Sequence, residues 1–112
     1  MLRSIYWYVD LVISLIINKI TLIRTDRMAK TLPDKEYADM VNRSVAQWAT
    51  KRILHSGSKV TVEGLENLPK KDGILFVANH QSNFDIFALL AYLPVNKGFI
   101  AKIELSKIPV LS

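Results

Sequence analysis

The chain has 112 residues and a mass of 12.7 kDa, enough for one small domain. Half of the residues are apolar and 22% are charged, a balance that excludes a disordered or collagen-like chain. There is no Cys, which excludes a disulfide scaffold, a thiolate metal site and a Cys nucleophile. Lys and Arg number 15 against 10 acidic residues, and the net charge of +5 favours an anionic partner: lipid head groups, nucleic acid or a phosphorylated substrate.

The most apolar part of the chain runs from residue 5 to residue 23 and, as a helix, would approach the thickness of a bilayer core. Its polar residues recur at helical spacing, so a helix lying in the membrane interface, or half inserted with this stripe packed on a partner, is predicted. A cleaved signal peptide and the core helix of a soluble domain remain open as alternatives. The stripe consists of Asp10, Ser14, Asn18 and Thr21.

A second helix is predicted over residues 35–55. Pro33 breaks the first helix, Asp34 is placed to cap the second, and Gly57 is a plausible end. Residues 1–56 are therefore interpreted as a two-helix membrane-associating element. An amphipathic packing helix is the alternative interpretation of the second helix.

From residue 58 onward the sequence pattern changes to one typical of an α/β fold, in which strands and helices alternate. Residues 57–112 are interpreted as the start of an α/β domain. Because this part is too short for a substantial core, we expect the chain to be the amino-terminal portion of a longer protein. Strands are predicted over 59–63, 73–78 and 97–102, and helices over 86–93 and from 104 to 108.

A polar heptapeptide, residues 79–85, separates a predicted buried strand from the next helix. Ligands bind at this edge of open α/β sheets. His80 precedes Asp85 by five positions, so the carboxylate can fold back onto one imidazole nitrogen and leave the other as an outward acceptor. This is the His–Asp half of a catalytic triad, with a substrate hydroxyl in place of the nucleophile. Two alternatives stay open: Ser82 and Asp85 form a capping box, and His80 is a surface residue of a loop.

The heptapeptide resembles the His-x4-Asp motif of the glycerolipid acyltransferase superfamily, most of all the bacterial-type 1-acyl-sn-glycerol-3-phosphate (lysophosphatidic acid) acyltransferases. Residues 60–69, 74–80 and 101–109 resemble further blocks of that family, including the lysine and proline of its next block. A two-helix membrane element also precedes the catalytic domain in such enzymes, and the resemblance implies that residues 57–112 are the amino-terminal part of that acyltransferase catalytic domain. The heptapeptide reads Asn79-His80-Gln81-Ser82-Asn83-Phe84-Asp85.

The resemblance implies transfer of a fatty acyl group from acyl-CoA or acyl carrier protein to the free hydroxyl of lysophosphatidic acid, giving phosphatidic acid. His80 would be the general base, and Asp85 would fix its tautomer and stabilise its charged form. Lys102 is the candidate ligand of the acceptor phosphate, with a solvated surface lysine as the alternative. Ser82 and Asn83 are assigned to the substrate-binding turn, which they are expected to shape. No metal and no cofactor beyond the acyl donor is expected.

The expected partners are membrane lipids, the acyl-donor carrier and lysophosphatidic acid, at the cytoplasmic face of the cell membrane in a monotopic or peripheral arrangement. Nucleic acid is not expected, because the aromatic residues lie in apolar runs rather than among the basic ones. Two alternative functions stay open: acylation of another lysophospholipid, and a non-catalytic basic membrane-binding module. The family's later Glu-Gly-Thr-Arg-type block is not among these residues, so the predicted function is that of the complete protein.

Overall fold

The computed structural model describes residues 1–29, 31–71 and 73–107, and three α-helices dominate it. Two short 3₁₀ turns lie in the irregular segments between and after the helices, and no strand forms in the described ranges. The helices are α1 (Leu2–Ala29), α2 (Asp34–Ser56) and α3 (Phe84–Tyr92); the 3₁₀ turns are Leu65–Asn67 and Ile103–Lys107.

Both predicted amino-terminal helices form, and α1 is longer than expected. Its 28 residues would measure about 42 Å, which exceeds a bilayer core of about 30 Å. The amide of Tyr37 donates to the carbonyl of Pro33 at 3.0 Å, so Asp34 is the first helical residue of α2 rather than its cap. Gly57 has a φ of 74°, a left-handed conformation that ends the helix at the predicted place, and its amide donates to the Leu54 carbonyl at 2.9 Å.

Helix α1 exposes apolar side chains and shelters polar ones, the reverse of a helix on the surface of a soluble protein. Asp10, Ser14 and Asn18 of the polar stripe lie on its half-buried side, whereas Thr21 is exposed. The Ser14 hydroxyl donates to the carbonyl of Leu11 at 2.7 Å, within the helix itself. Large aliphatic side chains remain exposed elsewhere on the helix, among them Val12, Ile13, Ile16, Ile17 and Ile20.

Among the described residues, one helical stretch, Leu2–Arg27, is long and apolar enough to cross a membrane. This criterion rests on length and composition. A signal sequence or the core helix of a soluble protein meets it as well, although very little of this stretch is buried.

The chain divides into two compact units, and α2 contributes to both. One unit comprises Met1–Arg43 and Val95–Ser112, the other Ser44–Pro94. This division differs from the predicted boundary after residue 56, which stays a prediction about the complete protein.

In the first unit, polar contacts tie two parts of the chain together that are far apart in sequence. The side-chain amide of Asn96 donates to Asp39 Oδ1 at 2.8 Å, and Lys97 Nζ donates to Asn42 Oδ1 at 3.2 Å. Partial burial lowers the pKa of Lys97. The segment that follows α3 is therefore fastened to the first half of α2.

In the second unit, the second half of α2 and helix α3 supply the buried side chains. Ala49, Arg52 and Ile53 are buried on α2, and Phe87 is buried on α3. The rings of Trp48 and Phe87 lie with their centroids 5.5 Å apart. These residues form the core of this unit.

The three predicted strands do not form in the described residues, so the α/β part of the prediction is not shown by the structure. The segment over 73–78 was expected to be buried on both faces, yet Leu75 is 77% exposed and Val77 is 87% exposed. A strand gains its hydrogen bonds only from a neighbouring strand, whereas a helix satisfies its own. The segments over 59–63 and 97–102 are likewise irregular.

The predicted third helix is confirmed, with α3 ending at Tyr92. Leu93 then adopts extended backbone (φ −85°, ψ 110°), as the residue before a proline must. The helix predicted from residue 104 is a 3₁₀ turn over Ile103–Lys107, and Ile108 lies outside the described residues.

Candidate active site

The two residues predicted to work together lie in contact. His80 Nδ1 is 3.0 Å from Asp85 Oδ2. His80 stands in the irregular segment before α3, and Asp85 lies in the first turn of that helix. The helix turns the chain back so that a separation of five residues closes to a hydrogen bond.

The carboxylate of Asp85 is anchored by the backbone of its own loop. Besides His80, its Oδ2 accepts the amide of Gln81 at 2.6 Å and the amide of Ser82 at 2.9 Å. These two backbone hydrogen bonds, foremost that of Ser82, hold the pKa of Asp85 below its ordinary value, and the contact with His80 adds to them. Asp85 is therefore ionised at neutral pH and can only accept hydrogen bonds.

An ionised acceptor on one side of the imidazole determines the tautomer of His80. Nδ1 must carry the proton that it donates to Asp85, so Nε2 of the neutral ring has a free electron pair. The His80 side chain is 64% exposed and that of Asp85 is 32% exposed. The imidazole is therefore more exposed to solvent than the carboxylate that orients it, and its Nε2 can accept a proton.

Ser82 and Asn83 form the turn between the two residues. The Ser82 hydroxyl accepts the amide of Phe84 at 3.1 Å, and Asn83 takes the N-cap position in helical backbone conformation without a side-chain cap. The contact from the Ser82 amide to Asp85 is half of a capping box. The capping and the His–Asp interpretations are therefore compatible, because one carboxylate oxygen serves both.

Lys102 belongs to the other compact unit, where its carbonyl accepts the amide of Leu105 at 3.0 Å and so begins the last 3₁₀ turn. Its side chain is exposed, and its assignment to a phosphate stays a prediction. In the described part of the chain, no three His, Asp or Glu residues group closely enough to hold a metal ion.

Sequence reasoning missed the amide of Gln81 as part of the site. The contact is made by the backbone, which every residue other than proline possesses, so the side chain gave no signal. The one indication in the sequence was the position of Asp85 directly after a short polar turn, where backbone amides can reach its carboxylate.

The His80–Asp85 turn at the start of α3 agrees with comparison to known proteins. Residues 59–112 match the model of the protein family described as Acyltransferase. The resemblance to glycerolipid acyltransferases is thereby confirmed.

Three proteins named as 1-acyl-sn-glycerol-3-phosphate acyltransferases are similar to the chain. The LPAT1 chloroplastic enzyme of Arabidopsis thaliana is 44% identical over 54 residues, which is 47% of this chain and 15% of that protein. The Saccharomyces cerevisiae enzyme is 41% identical over 73 residues, which is 60% of this chain and 24% of that protein. The BAT2 chloroplastic enzyme of Brassica napus is 44% identical over 54 residues.

The chain thus spans less than a quarter of the length of these relatives. No solved structure matches it.

Proposed function

We propose that the complete protein is a 1-acyl-sn-glycerol-3-phosphate acyltransferase, which transfers a fatty acyl group from a thioester to lysophosphatidic acid and forms phosphatidic acid. The observation that carries the proposal is the His80–Asp85 contact of 3.0 Å inside a segment that matches the Acyltransferase family model. The relatives' names supply the acceptor, 1-acyl-sn-glycerol-3-phosphate, and acylation of its free hydroxyl gives phosphatidic acid.

In the proposed reaction, Nε2 of His80 removes the proton of the free glycerol hydroxyl as its oxygen attacks the thioester carbonyl carbon. The carbon–sulfur bond then breaks, and the leaving thiolate takes the proton back from the imidazolium. Asp85 stabilises the imidazolium between these two steps. The carrier thiol and phosphatidic acid are the products, and no covalent acyl-enzyme forms.

The matched test compares the two histidines of the chain. His80→Ala should lower the initial rate of phosphatidic acid formation by about 10²–10⁴-fold, the usual contribution of a general base. His55→Ala, on α2, removes the other imidazole and should leave the rate near that of the wild type. A wild-type rate for His80→Ala would refute the role of His80 as the base, whereas the absence of acyl transfer by the wild type, with membrane binding intact, would favour the non-catalytic membrane-binding module instead.

The acceptor and donor are tested with the same preparation. We propose acylation of lysophosphatidic acid in preference to lysophospholipids whose phosphate carries a further head group. Acyl-CoA and acyl carrier protein are to be supplied separately at equal thioester concentration. Faster acylation of lysophosphatidylcholine or lysophosphatidylethanolamine would replace the proposed acceptor, while no transfer from either thioester to any lysophospholipid would refute the enzyme.

The proposed location is the membrane surface, with α1 as the anchor. Its exposed aliphatic side chains suit acyl chains, while the hydroxyls of Ser14 and Thr21 already donate within the helix, at 2.7 and 3.0 Å. The complete protein should resist extraction from vesicles by alkaline carbonate, and deletion of residues 1–30 should release it. Full extraction of the wild type together with unchanged binding of the deletion variant would contradict this anchor.

A monotopic arrangement at the cytoplasmic face predicts that both ends of α1 lie on one side of the membrane. These 112 residues contain no Cys, so Ser4→Cys and Thr31→Cys each introduce one reporter thiol into this part of the protein. An impermeant maleimide applied to the cytoplasmic side should label both variants. Labelling of only one of them from that side would indicate a spanning helix.

We also propose that the apolar segments over 59–63, 73–78 and 97–102 pair as strands of an α/β sheet in the complete protein. Side chains such as Leu75 and Val77 are too apolar to remain as exposed as they are here. Amides of residues 74–78 in the complete protein should exchange slowly, and those of the loop over 65–71 rapidly. Equal, rapid exchange in both segments would refute the sheet.

A further inference from the structure

We propose that Trp48 of α2 is a positioning residue for the His80–Asp85 pair. Trp48 precedes the segment that matches the acyltransferase family, yet the centroid of its ring lies 5.5 Å from that of Phe87, with the planes inclined at 47°. The ring of Phe87 lies 6.1 Å from that of Phe84, and Phe84 directly precedes Asp85. A chain of three aromatic rings therefore leads from α2 to the residue beside the orienting carboxylate.

Helix α3 depends on this contact because it is short. It has nine residues, too few to be stable by itself, so tertiary packing must fix its orientation. Phe87 is its buried residue, with 8% of its surface exposed. Where α3 packs on α2, the ring of Phe87 contacts that of Trp48. Besides burying apolar surface, this tilted pair of rings favours one orientation of α3 over others.

The rotation of α3 about its axis decides where Asp85 points. A side-chain atom about 5 Å from a helix axis moves by about 1.3 Å when the helix turns by about 15°. The hydrogen bonds to Asp85 measure 2.6, 2.9 and 3.0 Å, so such a displacement would break or misdirect them. The hydrogen bonds from the amides of Gln81 and Ser82 hold Asp85 against its own loop. The ring contact between Trp48 and Phe87 holds α3, the helix that carries Asp85, against α2.

The consequence for the reaction rests on the proposed acyltransferase function. Misplacement of a catalytic group by about 1 Å costs up to about 10²-fold in rate. Trp48→Ala should therefore lower kcat by about 10–100-fold with little change in the KM for lysophosphatidic acid. Trp48→Phe keeps an aromatic ring on Phe87 and should restore most of kcat.

The control separates positioning from general stability. Ile53 is fully buried on the same helix and lies outside the ring cluster, so Ile53→Ala destabilises the unit without removing an aromatic contact. At a temperature where both variants are folded, Trp48→Ala should lose kcat and Ile53→Ala should retain it. Equal losses of kcat in the two variants, or no rescue by Trp48→Phe, would overturn the proposal.

Hydrogen exchange gives a second measurement that does not depend on activity. The amides of Gln81 and Ser82 donate to Asp85, so they should exchange faster in Trp48→Ala than in Ile53→Ala. Unchanged exchange at these amides overturns the proposal even where kcat falls. If the wild type transfers no acyl group, the acyltransferase function fails, whereas the exchange result still decides the positioning. Should Trp48→Ala not fold, Phe87→Leu removes the same ring contact and decides by the same measurements.

Discussion

Replacing Asp85 with Asn separates the geometry of the proposed site from its charge. Asn has nearly the same shape, and its amide oxygen can accept the amides of Gln81 and Ser82 that now reach Asp85 at 2.6 and 2.9 Å. The turn before α3 is therefore expected to survive the change. What is lost is the negative charge 3.0 Å from Nδ1 of His80.

The Asn side chain can take two orientations, and each of them lowers the rate of acyl transfer. If the Asn oxygen faces His80, the tautomer is kept but the imidazolium formed during proton transfer loses its counter-charge. If the amide nitrogen takes the place of Oδ2 instead, Nδ1 must accept, so Nε2 carries the proton and can no longer act as a base, and the amides of Gln81 and Ser82 also lose their acceptor. Asp85→Asn should lower the rate of acyl transfer by about 10²–10⁴-fold, and by no more than His80→Ala does.

The assay is the initial rate of phosphatidic acid formation by the complete protein in vesicles of fixed composition. Asp34→Asn is the matched control, because Asp34 is an exposed carboxylate in the first turn of α2. Retention of more than about a third of the wild-type rate by Asp85→Asn would refute the assigned role, since even a weak general base contributes about 10²-fold.

The same site makes a prediction about pH. Because the backbone amides lower the pKa of Asp85 below its ordinary 3.8, the carboxylate contributes stability above pH 3.8 and loses it only as the pH falls through the lowered value. No loss of activity between pH 5 and 8 should therefore be traceable to protonation of Asp85. Protonation of the Asp85 carboxyl between pH 5 and 8, followed by its carbon-13 chemical shift, would contradict the anchoring.

Three further predictions concern the rest of the chain. The hydrogen bond from the Tyr37 hydroxyl to Asp26 (2.9 Å) raises the pKa of Tyr37 above 10.0, so the stability that this bond contributes is present below pH 10 and is lost as the pH rises through the raised value. Tyr37→Phe should therefore flatten the fall of the melting temperature at alkaline pH, and parallel curves of melting temperature against pH for the two proteins would refute this. Lys102→Met should raise the KM for lysophosphatidic acid by about tenfold, the loss expected for a charge-assisted hydrogen bond, whereas Lys107→Met should leave the KM unchanged. Equal KM values for Lys102→Met and the wild type would show that Lys102 does not bind the phosphate. Ile53→Ala should lower the free energy of unfolding by about 2–5 kcal/mol and Ile53→Val by about 0.5–1.5 kcal/mol, as measured by denaturant unfolding in detergent. A loss below about 1 kcal/mol for Ile53→Ala would show that Ile53 is not a core residue.

The features that the sequence predicted correctly are local ones. A helix closes its hydrogen bonds over four residues, so Pro33, Gly57 and Pro94 were sufficient to place the breaks and ends. The contact between His80 and Asp85 spans five residues across a single turn and was predictable for the same reason. Their chemistry could be inferred because few residue types can act as a base near neutral pH.

Contacts between distant parts of the chain could not be predicted in this way. The sequence shows that the segments over 59–63 and 73–78 have the pattern of strands, but a strand forms only when another lies beside it, and none does in the described residues.

Asn96 meets Asp39 across 57 residues, and Trp48 meets Phe87, although neither pair is marked by any motif. The amino acid sequence by itself therefore determined the helices, the breaks and the His–Asp turn, because their partners are neighbours along the chain. Only the tertiary structure decided which face of α2 receives α3, because that choice depends on how side chains far apart in sequence fit together.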